Sequence, residues 1–117
     1  MLRKLEQIIL FLESSYRAFK YRSVKAIAED AWKRLEEKER QVIRDTEDVG
    51  DMIKFHHWGG RWIRNHYGLW NPRNKLTKNY FIDGDKYVLD GINYHPQHPD
   101  TVSSQVMAEM WNISRTR

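Results

Sequence analysis

The chain has 117 residues, enough for one domain with a single modest hydrophobic core. It contains no cysteine, which excludes disulfides and thiolate metal sites. The net charge is +4, and the apolar run at residues 8–12 is far too short to span a membrane. These features predict a cytoplasmic protein with no membrane partner and no secretory signal peptide.

The first predicted element is a helix over residues 2–20. Its apolar residues recur at alternating spacings of three and four, which is the a/d rhythm of a helix seam. The seam consists of Leu2, Leu5, Ile9, Leu12, Tyr16 and Phe19, with Ile8 and Phe11 beside it. We interpret residues 1–22 as an N-terminal helix that packs either on the domain or on a second copy of the chain, which would make a homodimer.

Residues 23–117 are predicted to form one helical domain. Ser23 can cap a helix whose buried stripe follows helical spacing. The stripe comprises Val24, Ile27, Ala28, Ala31, Trp32 and Leu35. A break near residues 37–39 separates this helix from the next one. Thr46 is then the expected N-cap of a long helix that ends at Gly68.

The second half of the chain is predicted to hold two further helices around an irregular segment. Asn74 is the expected cap of a short helix, and Asp100 the expected cap of the final one. The final helix should bury a face made of Val102, Val106, Met110 and Ile113. Two Asp-Gly pairs predict a small hairpin or irregular loop near residues 84–95. The predicted fold class is all-α, a compact bundle of about five helices.

The positive charge is concentrated between residues 52 and 82. This segment holds six Lys or Arg and no acidic residue, whereas residues 23–51 hold nine acidic residues. Within it, the stretch FHHWGGRWIRNHYGLW at residues 55–70 interleaves aromatic and basic side chains. This pattern is expected of a protein that binds a phosphate-bearing ligand. The alternative is that the basic face complements the acidic helix within the same fold.

The aromatic residues of this segment allow two interpretations. Because the segment is apolar on both sides, we expect Trp58, Trp62 and Trp70 to lie mainly in the core. Gly59 and Gly60 should allow a neighbouring backbone, ring or ligand to come close. As an anion pocket, the segment would instead supply basic donors and faces on which a base could stack. The candidate ligand-binding residues are Arg61, Arg64, Asn65, Tyr67, Trp70, Arg73, Lys75, Lys78 and Tyr80.

Candidates for a structural clasp or for acid–base chemistry are His56, His98, Asp100 and Ser103. If Arg64 is half buried, its guanidinium needs a carboxylate, and Asp100 is the expected partner. His95 and His98 could join Asp100 at a metal, but no helical metal-binding spacing is present. No serine lies in a nucleophile elbow. We therefore assign no catalytic residue, no metal and no cofactor.

Two sequence blocks are IRN-x-x-GLW at residues 63–70 and HPD-x-x-S at residues 98–103. Together they resemble a small bacterial and phage family known as a domain of unknown function. The resemblance covers residues 23–113 and implies a compact helical domain. It marks His56, Arg64, Asn65, His98, Asp100 and Ser103 as matched positions and assigns them no roles. Residues 85–97 form a longer approach to the second block than is usual in that family.

These observations together predict a small basic non-enzymatic binding protein that captures an anionic partner on a basic aromatic face. The partner could be a nucleotide, a nucleic acid or an acidic surface of another protein. One alternative is a phage-encoded inhibitor of a host defence system or nuclease, which would act by contact with a host protein. A second alternative is a hydrolase that depends on a His–Asp pair.

Overall fold

The structure, a computed structural model, describes residues 2–117, with side chains from Arg3 onward. This part of the chain contains the helices α1 (Leu2–Lys20), α2 (Val24–Arg34), α3 (Glu37–Arg44), α4 (Arg61–His66), α5 (Lys78–Asp83) and α6 (Pro99–Thr116). A 3₁₀ helix, Val49–Phe55, and a π-helical turn, His56–Gly60, precede α4. The predicted all-α fold class is confirmed. No helix within residues 2–117 is both long and apolar enough to span a membrane.

The core lies between α2 and α6. Ser23 caps α2 as predicted, because its side chain accepts a hydrogen bond from the backbone N–H of Ala26 at 3.0 Å. The predicted face of α6 is buried, namely Val102, Val106, Met110 and Ile113. Of the stripe predicted for α2, Ile27, Ala28, Ala31 and Trp32 are buried, whereas Val24 and Leu35 are only partly buried. Ile63, Tyr67 and Leu69 complete the core from the central segment. Helical periodicity alone was enough to identify the buried faces of α2 and α6.

The prediction of one long helix starting at Thr46 is wrong. The chain instead forms a 3₁₀ helix, a π turn and α4 over this segment. Asp48 caps the first of these segments, with its side chain accepting from the N–H of Gly50 at 2.9 Å. The hydroxyl of Thr46 donates back to the carbonyl of Val42, and the carbonyl of Thr46 accepts from the indole of Trp111. Thr46 therefore fastens the end of α3 to α6 and does not begin a helix.

The cap predicted at Asn74 is also wrong. Asn74 is fully buried, and its side-chain amide donates to the carbonyls of Tyr67 and Gly68 at the end of α4. Its side-chain oxygen accepts from the N–H of Leu76, which makes a local turn. α5 begins only at Lys78, with Thr77 as its N-cap, because the segment after Asn74 first forms a turn.

The final helix is capped by His98 and not by Asp100. Nδ1 of His98 accepts from the N–H of Asp100 at 3.0 Å, and Pro99 occupies the first helical position.

The hairpin predicted before this helix is present as two antiparallel strands, β1 (Val88–Leu89) and β2 (Ile92–Asn93). The residues between them, Asp90 and Gly91, both have positive φ, as a tight Asp-Gly hairpin turn requires.

α1 contacts the domain through one face of its C-terminal half. Ala18 is buried, and the guanidinium of Arg17 donates to the carbonyl of His66. Gly68, with a φ of +63°, lies against the backbone of Ser14. These contacts place α1 alongside α4.

The apolar seam of α1 faces away from the domain. Leu5, Ile9, Leu12, Tyr16 and Phe19 are each between 52% and 64% exposed. Of the two packing modes predicted for this seam, packing on the domain is therefore wrong. Leu2 was also predicted to belong to the seam, and its side chain lies outside the described part of the chain.

Candidate anion-binding cleft

The predicted ligand-binding residues divide into a buried and an exposed group. Arg64 and Tyr67 are 9% and 0% exposed, so neither presents an open donor or stacking face. Arg61, Asn65, Trp70, Arg73, Lys75 and Lys78 are exposed, and Tyr80 is partly buried. Within this predicted set, Arg61 and Asn65 line the cleft between α1 and α4.

Arg64 joins the two sequence blocks. Its Nε lies 3.3 Å from Oδ1 of Asp100, so the expected ion pair is present. Its Nη1 donates to the hydroxyl of Ser103 at 2.9 Å, and that hydroxyl donates to the carbonyl of Asp100 at 3.0 Å. Since a buried guanidinium needs a nearby counter-charge, this clasp fixes α4 to the first turn of α6.

Gly60 lies directly beside this clasp. A Cβ at this position would stand 2.9 Å from Nη1 of Arg64 and 3.6 Å from both Nδ1 of His56 and Sδ of Met107. A close neighbour at the glycine pair was predicted, and Gly60 has one. The neighbour is the guanidinium of Arg64, whereas a backbone or an aromatic ring was expected. Because Ser103 and Asp100 hold this guanidinium, it cannot move aside freely.

We expect Gly60→Ala to lower the free energy of unfolding by about 1 kcal/mol, because crowding of the held guanidinium outweighs the gain in helix propensity. Gly59→Ala is the matched control, since its Cβ would meet Phe55 at an ordinary 3.5 Å. That variant should gain up to about 1 kcal/mol of stability. Denaturant unfolding of both variants measures the difference, and equal stabilisation by the two changes would contradict the crowding.

His95 is held on both sides of its ring. Nδ1 accepts from the backbone N–H of Gln97 at 2.9 Å, so Nε2 carries the hydrogen and donates to Asp83 at 2.6 Å. The side chain is buried. With both nitrogens engaged, His95 anchors the hairpin segment to the end of α5, and no nitrogen is left to take a proton from a substrate.

His98 is likewise used by the fold. Burial lowers its pKa, with Arg64 adding to this effect and Asp100 opposing it, so the ring is neutral at neutral pH. Trp70 and Tyr80 pack edge-on against it, with ring centroids 5.7 and 4.6 Å away. The two aromatic candidates Trp70 and Tyr80 therefore belong to a cluster around the α6 cap. Within residues 2–117, no three His, Asp or Glu side chains are grouped so that they could hold a metal.

A cleft of about 650 Å³ lies between α1 on one side and the π turn and α4 on the other. Its lining residues are Leu10, Arg17, His57, Trp58, Arg61, Trp62, Asn65 and His66, none of them acidic. The side chains at positions 57, 61 and 65 form one stripe, and those at 58, 62 and 66 form an adjacent one. Residues four apart on a helix share a face, which explains why both stripes point into the cleft.

The tryptophans of this cleft are exposed, so their predicted place in the core is wrong. Trp58 is 58% and Trp62 is 40% exposed. The opposite face of the same segment, with Ile63 and Tyr67, packs on the core and turns the tryptophans outward. Trp62 stacks on His66 with centroids 4.6 Å apart and planes 14° apart, which covers part of its ring. Trp70 was also predicted to lie in the core, and it is 46% exposed, so that prediction is wrong as well.

The cleft is electropositive although its central histidine is neutral. The pKa of His66 is lowered to about 4 by burial and by the charges of Arg17 and Arg34. Its Nε2 is buried and finds no hydrogen-bond partner among the described residues. Arg61 is exposed and makes no ion pair within residues 2–117. The net charge of the lining comes from Arg17 and Arg61.

An apolar groove of about 680 Å³ adjoins the cleft and shares Trp58 and Trp62 with it. Its apolar lining includes Leu35, Val42, Ile43, Met52, Phe55, Ile63, Met107 and Met110. Arg34, Lys38 and Glu39 supply its charged groups. The two tryptophans thus form a ridge between a basic cleft and an apolar groove.

Several cleft residues were not among the sequence candidates, namely Leu10, Arg17, His57, Trp58, Trp62 and His66. A signal for the last four existed in four-residue spacings: His57 shares one with Arg61 and Asn65, and Trp58, Trp62 and His66 share another among themselves. No local signal marked Leu10 or Arg17, because their position depends on how α1 lies against Gly68.

The fold and the cleft define a small helical domain with a basic, tryptophan-lined recess. The chain belongs to the family DUF6794, a domain of unknown function, whose model matches residues 25–113. A family of unknown function was expected from the sequence, and the matched range lies close to the one expected. α1 lies outside the match. No curated protein and no solved structure matches the chain.

Proposed function

We propose that this protein is a non-enzymatic binding protein that holds a nucleotide unit, either free or within a nucleic acid, in the cleft between α1 and α4. The observation that carries the proposal is the exposure of Trp58 and Trp62 beside Arg61, in a lining without any acidic residue. Large aromatic side chains contribute most when they are buried, so two exposed tryptophans at a recess favour a binding role.

Each part of the ligand has a matching group in the cleft. Trp58 offers an exposed ring for stacking a base, which is worth about 1–3 kcal/mol per base. Arg61 and His57, both exposed, can donate to a phosphate, and the amide of Asn65 can bond the edge of a base. Within this proposal the cleft binds and positions its ligand and transforms nothing.

A free nucleotide and a single-stranded nucleic acid carry the same recognised unit. The test uses AMP and a fluorescent 12-nucleotide single strand as probes, with tryptophan fluorescence as a second readout. A strand that binds more tightly than AMP and loses affinity steeply with salt identifies nucleic acid. Equal affinity with little salt dependence identifies the nucleotide. Failure of both probes to bind would overturn the proposal.

We expect Trp58→Ala to weaken binding of the better probe about 10-fold or more, because a stacking face is lost. Arg61→Ala should weaken it several-fold and reduce the salt dependence by about one phosphate contact. Both residues are exposed, so unfolding free energies should change by under about 0.5 kcal/mol. Fluorescence titration measures the binding.

Two exposed residues outside the cleft serve as matched controls. Trp70→Ala removes a tryptophan of comparable exposure, and Lys78→Ala removes a cation from the same acid-free segment. Both variants should bind nearly as the wild type does. If the Lys78 variant loses as much affinity as the Arg61 variant, binding occurs on a diffuse basic surface and the cleft has no special role.

The apolar groove favours a second candidate function, an inhibitor that contacts a host protein. Val42, Trp58 and Trp62 are its exposed apolar residues, and they can contact an apolar helix of a partner, a recurring mode of recognition. Such binding would be insensitive to salt and sensitive to Val42→Glu, a change at a groove residue that is 47% exposed. The hydrolase alternative gains no support, since His95 and His98 are engaged by the fold.

A further inference from the structure

α1 presents an unpartnered apolar strip to solvent. At about 100° per residue, the five seam residues fall within an arc of about 80°. Together with Ile8, which is 54% exposed, they leave roughly 600 Å² of apolar surface open, as large as the largest patch of a typical monomer. A standard interface takes about 800 Å² from each partner, so the strip supplies most of that requirement.

The domain occupies the opposite face of the same helix. Ser14, Arg17 and Ala18, which contact the segment from His66 to Gly68, lie between about 120° and about 220° around the helix from the centre of the seam. A partner on the seam would therefore displace nothing. The domain already holds α1 in helical form, which removes part of the ordering cost that prevents so short a helix from pairing alone.

The flanks of the seam specify how a partner helix would lie. One flank carries Glu6 and Glu13, and the other carries Ile8 and Ser15. A parallel copy sets Glu13 beside Ile8 of its partner, whereas an antiparallel copy sets the glutamate flanks against each other. Ile9 at an a position between two leucines at d positions is the pattern that favours two parallel strands.

We propose that the seam of α1 binds a second copy of this chain, so that two α1 helices pair in parallel and the two domains lie on the outside. Leu10 and Arg17 lie off the seam and stay at their own clefts. The dimer therefore presents two open clefts, and a strand that spans both would bind with an affinity greater than one cleft provides.

Sedimentation equilibrium tests the assembly without any ligand. The wild type is expected to sediment at twice the chain mass of 14.2 kDa. Leu5→Glu with Leu12→Glu should raise the dimer dissociation constant about 100-fold or more, because it places charges at the centre of the interface. Phe11→Glu is the matched control, since Phe11 is 64% exposed on the same helix and lies outside the seam. Far-ultraviolet circular dichroism verifies that all variants remain folded.

The parallel orientation of the two α1 helices can be tested by disulfide cross-linking. The chain contains no cysteine, so a single introduced cysteine can link only to its copy in the partner chain. In a parallel pair, Leu5→Cys brings the two new thiols together, and mild oxidation should link the chains. In an antiparallel pair, position 5 faces position 16 of the partner and no link forms. A dimer that the oxidised variant cannot cross-link would overturn the parallel arrangement.

Three further results would overturn the proposal. The first is a wild type that stays monomeric at millimolar concentration. The second is a dimer that Val42→Glu dissolves, which would show that α1 docks in the apolar groove of its partner. The third is a monomer that binds phosphatidylcholine vesicles through α1. Each is independent of whether AMP or the single strand binds, so failure of this proposal is separable from failure of the proposed function.

Discussion

Gly68→Ala is expected to lower the free energy of unfolding by about 3 kcal/mol and to loosen α1 from the domain. The φ of Gly68 is +63°, which costs an alanine about 1–2 kcal/mol. Its Cβ would stand 2.7 Å from the backbone oxygen of Ser14 and 3.0 Å from Cβ of Ala18. Because a backbone atom is involved, α1 itself must move, and such overpacking adds about 1–3 kcal/mol. Denaturant unfolding measures the loss.

Gly91→Ala separates the two causes. Gly91 has a φ of +78°, but an added Cβ would meet no atom of the described chain within 4 Å. This variant should therefore show only the backbone cost of about 1–2 kcal/mol. Hydrogen exchange supplies a local readout, since Gly68→Ala should speed exchange in the second half of α1 and Gly91→Ala should not. Equal losses in the two variants would mean that α1 does not rest on Gly68.

The elements that the sequence predicted correctly are those with local determinants. The buried stripes of α2 and α6 follow from helical periodicity, and the cap at Ser23 from a side chain that can reach the first unpaired N–H groups. The turn at Asp90 and Gly91 follows from the positive φ that the hairpin needs. Each of these features is decided within a few residues of the chain.

The caps that were mispredicted depend on competition between distant or alternative partners. Asn74 holds the carbonyls of Tyr67 and Gly68 with its amide and makes a turn with Leu76, and α5 starts only at Lys78. Asp100 could have capped α6, but the ring of His98 accepts from its N–H while the carboxylate turns to Arg64. The ion pair of Asp100 with Arg64 joins distant positions of the chain, so no local pattern contains it.

The candidate cleft was half predictable for a related reason. The four-residue spacing of Trp58, Trp62 and His66 shows that they share a face, yet the segment is apolar on both sides. Which face turns inward depends on whether Ile63 or Trp62 meets α6, and the structure buries Ile63. Arg17 enters the cleft only because α1 crosses α4 at Gly68, a contact between residues about fifty positions apart.

Asp30 joins three parts of the fold through one carboxylate. It accepts hydrogen bonds from the hydroxyl of Tyr21 at 3.0 Å, from Nε of Arg34 at 2.8 Å and from the hydroxyl of Tyr67 at 2.6 Å. Tyr67 is completely buried, so its hydroxyl is out of contact with bulk solvent. The carboxylate therefore ties the end of α1, the middle of α2 and the end of α4 together.

The ionised form of Asp30 is favoured in the folded state. Burial opposes its ionisation, but the hydrogen bonds from Tyr67, Arg34 and Tyr21 outweigh burial and lower the pKa below 3.8. The pKa of Tyr67 is raised by burial and by Asp30, so its hydroxyl stays a donor at all ordinary pH values. Since the folded pKa of Asp30 is the lower one, its contribution to stability is complete above the unfolded pKa and is lost as the pH falls through the folded pKa.

Asp30→Ala is expected to lower the free energy of unfolding by about 3 kcal/mol at neutral pH, because the buried hydroxyl of Tyr67 loses a charged acceptor and two further donors lose theirs. Glu29→Ala is the control: it removes the neighbouring carboxylate, whose ion pair with Arg117 at 2.8 Å is exposed, and should change stability little. The difference between wild type and the Asp30 variant should stay constant from about pH 7 to about pH 5 and shrink below about pH 4. Urea unfolding across that range measures it, and a difference that persists unchanged to about pH 3 would show that the charge of Asp30 does not hold these helices together.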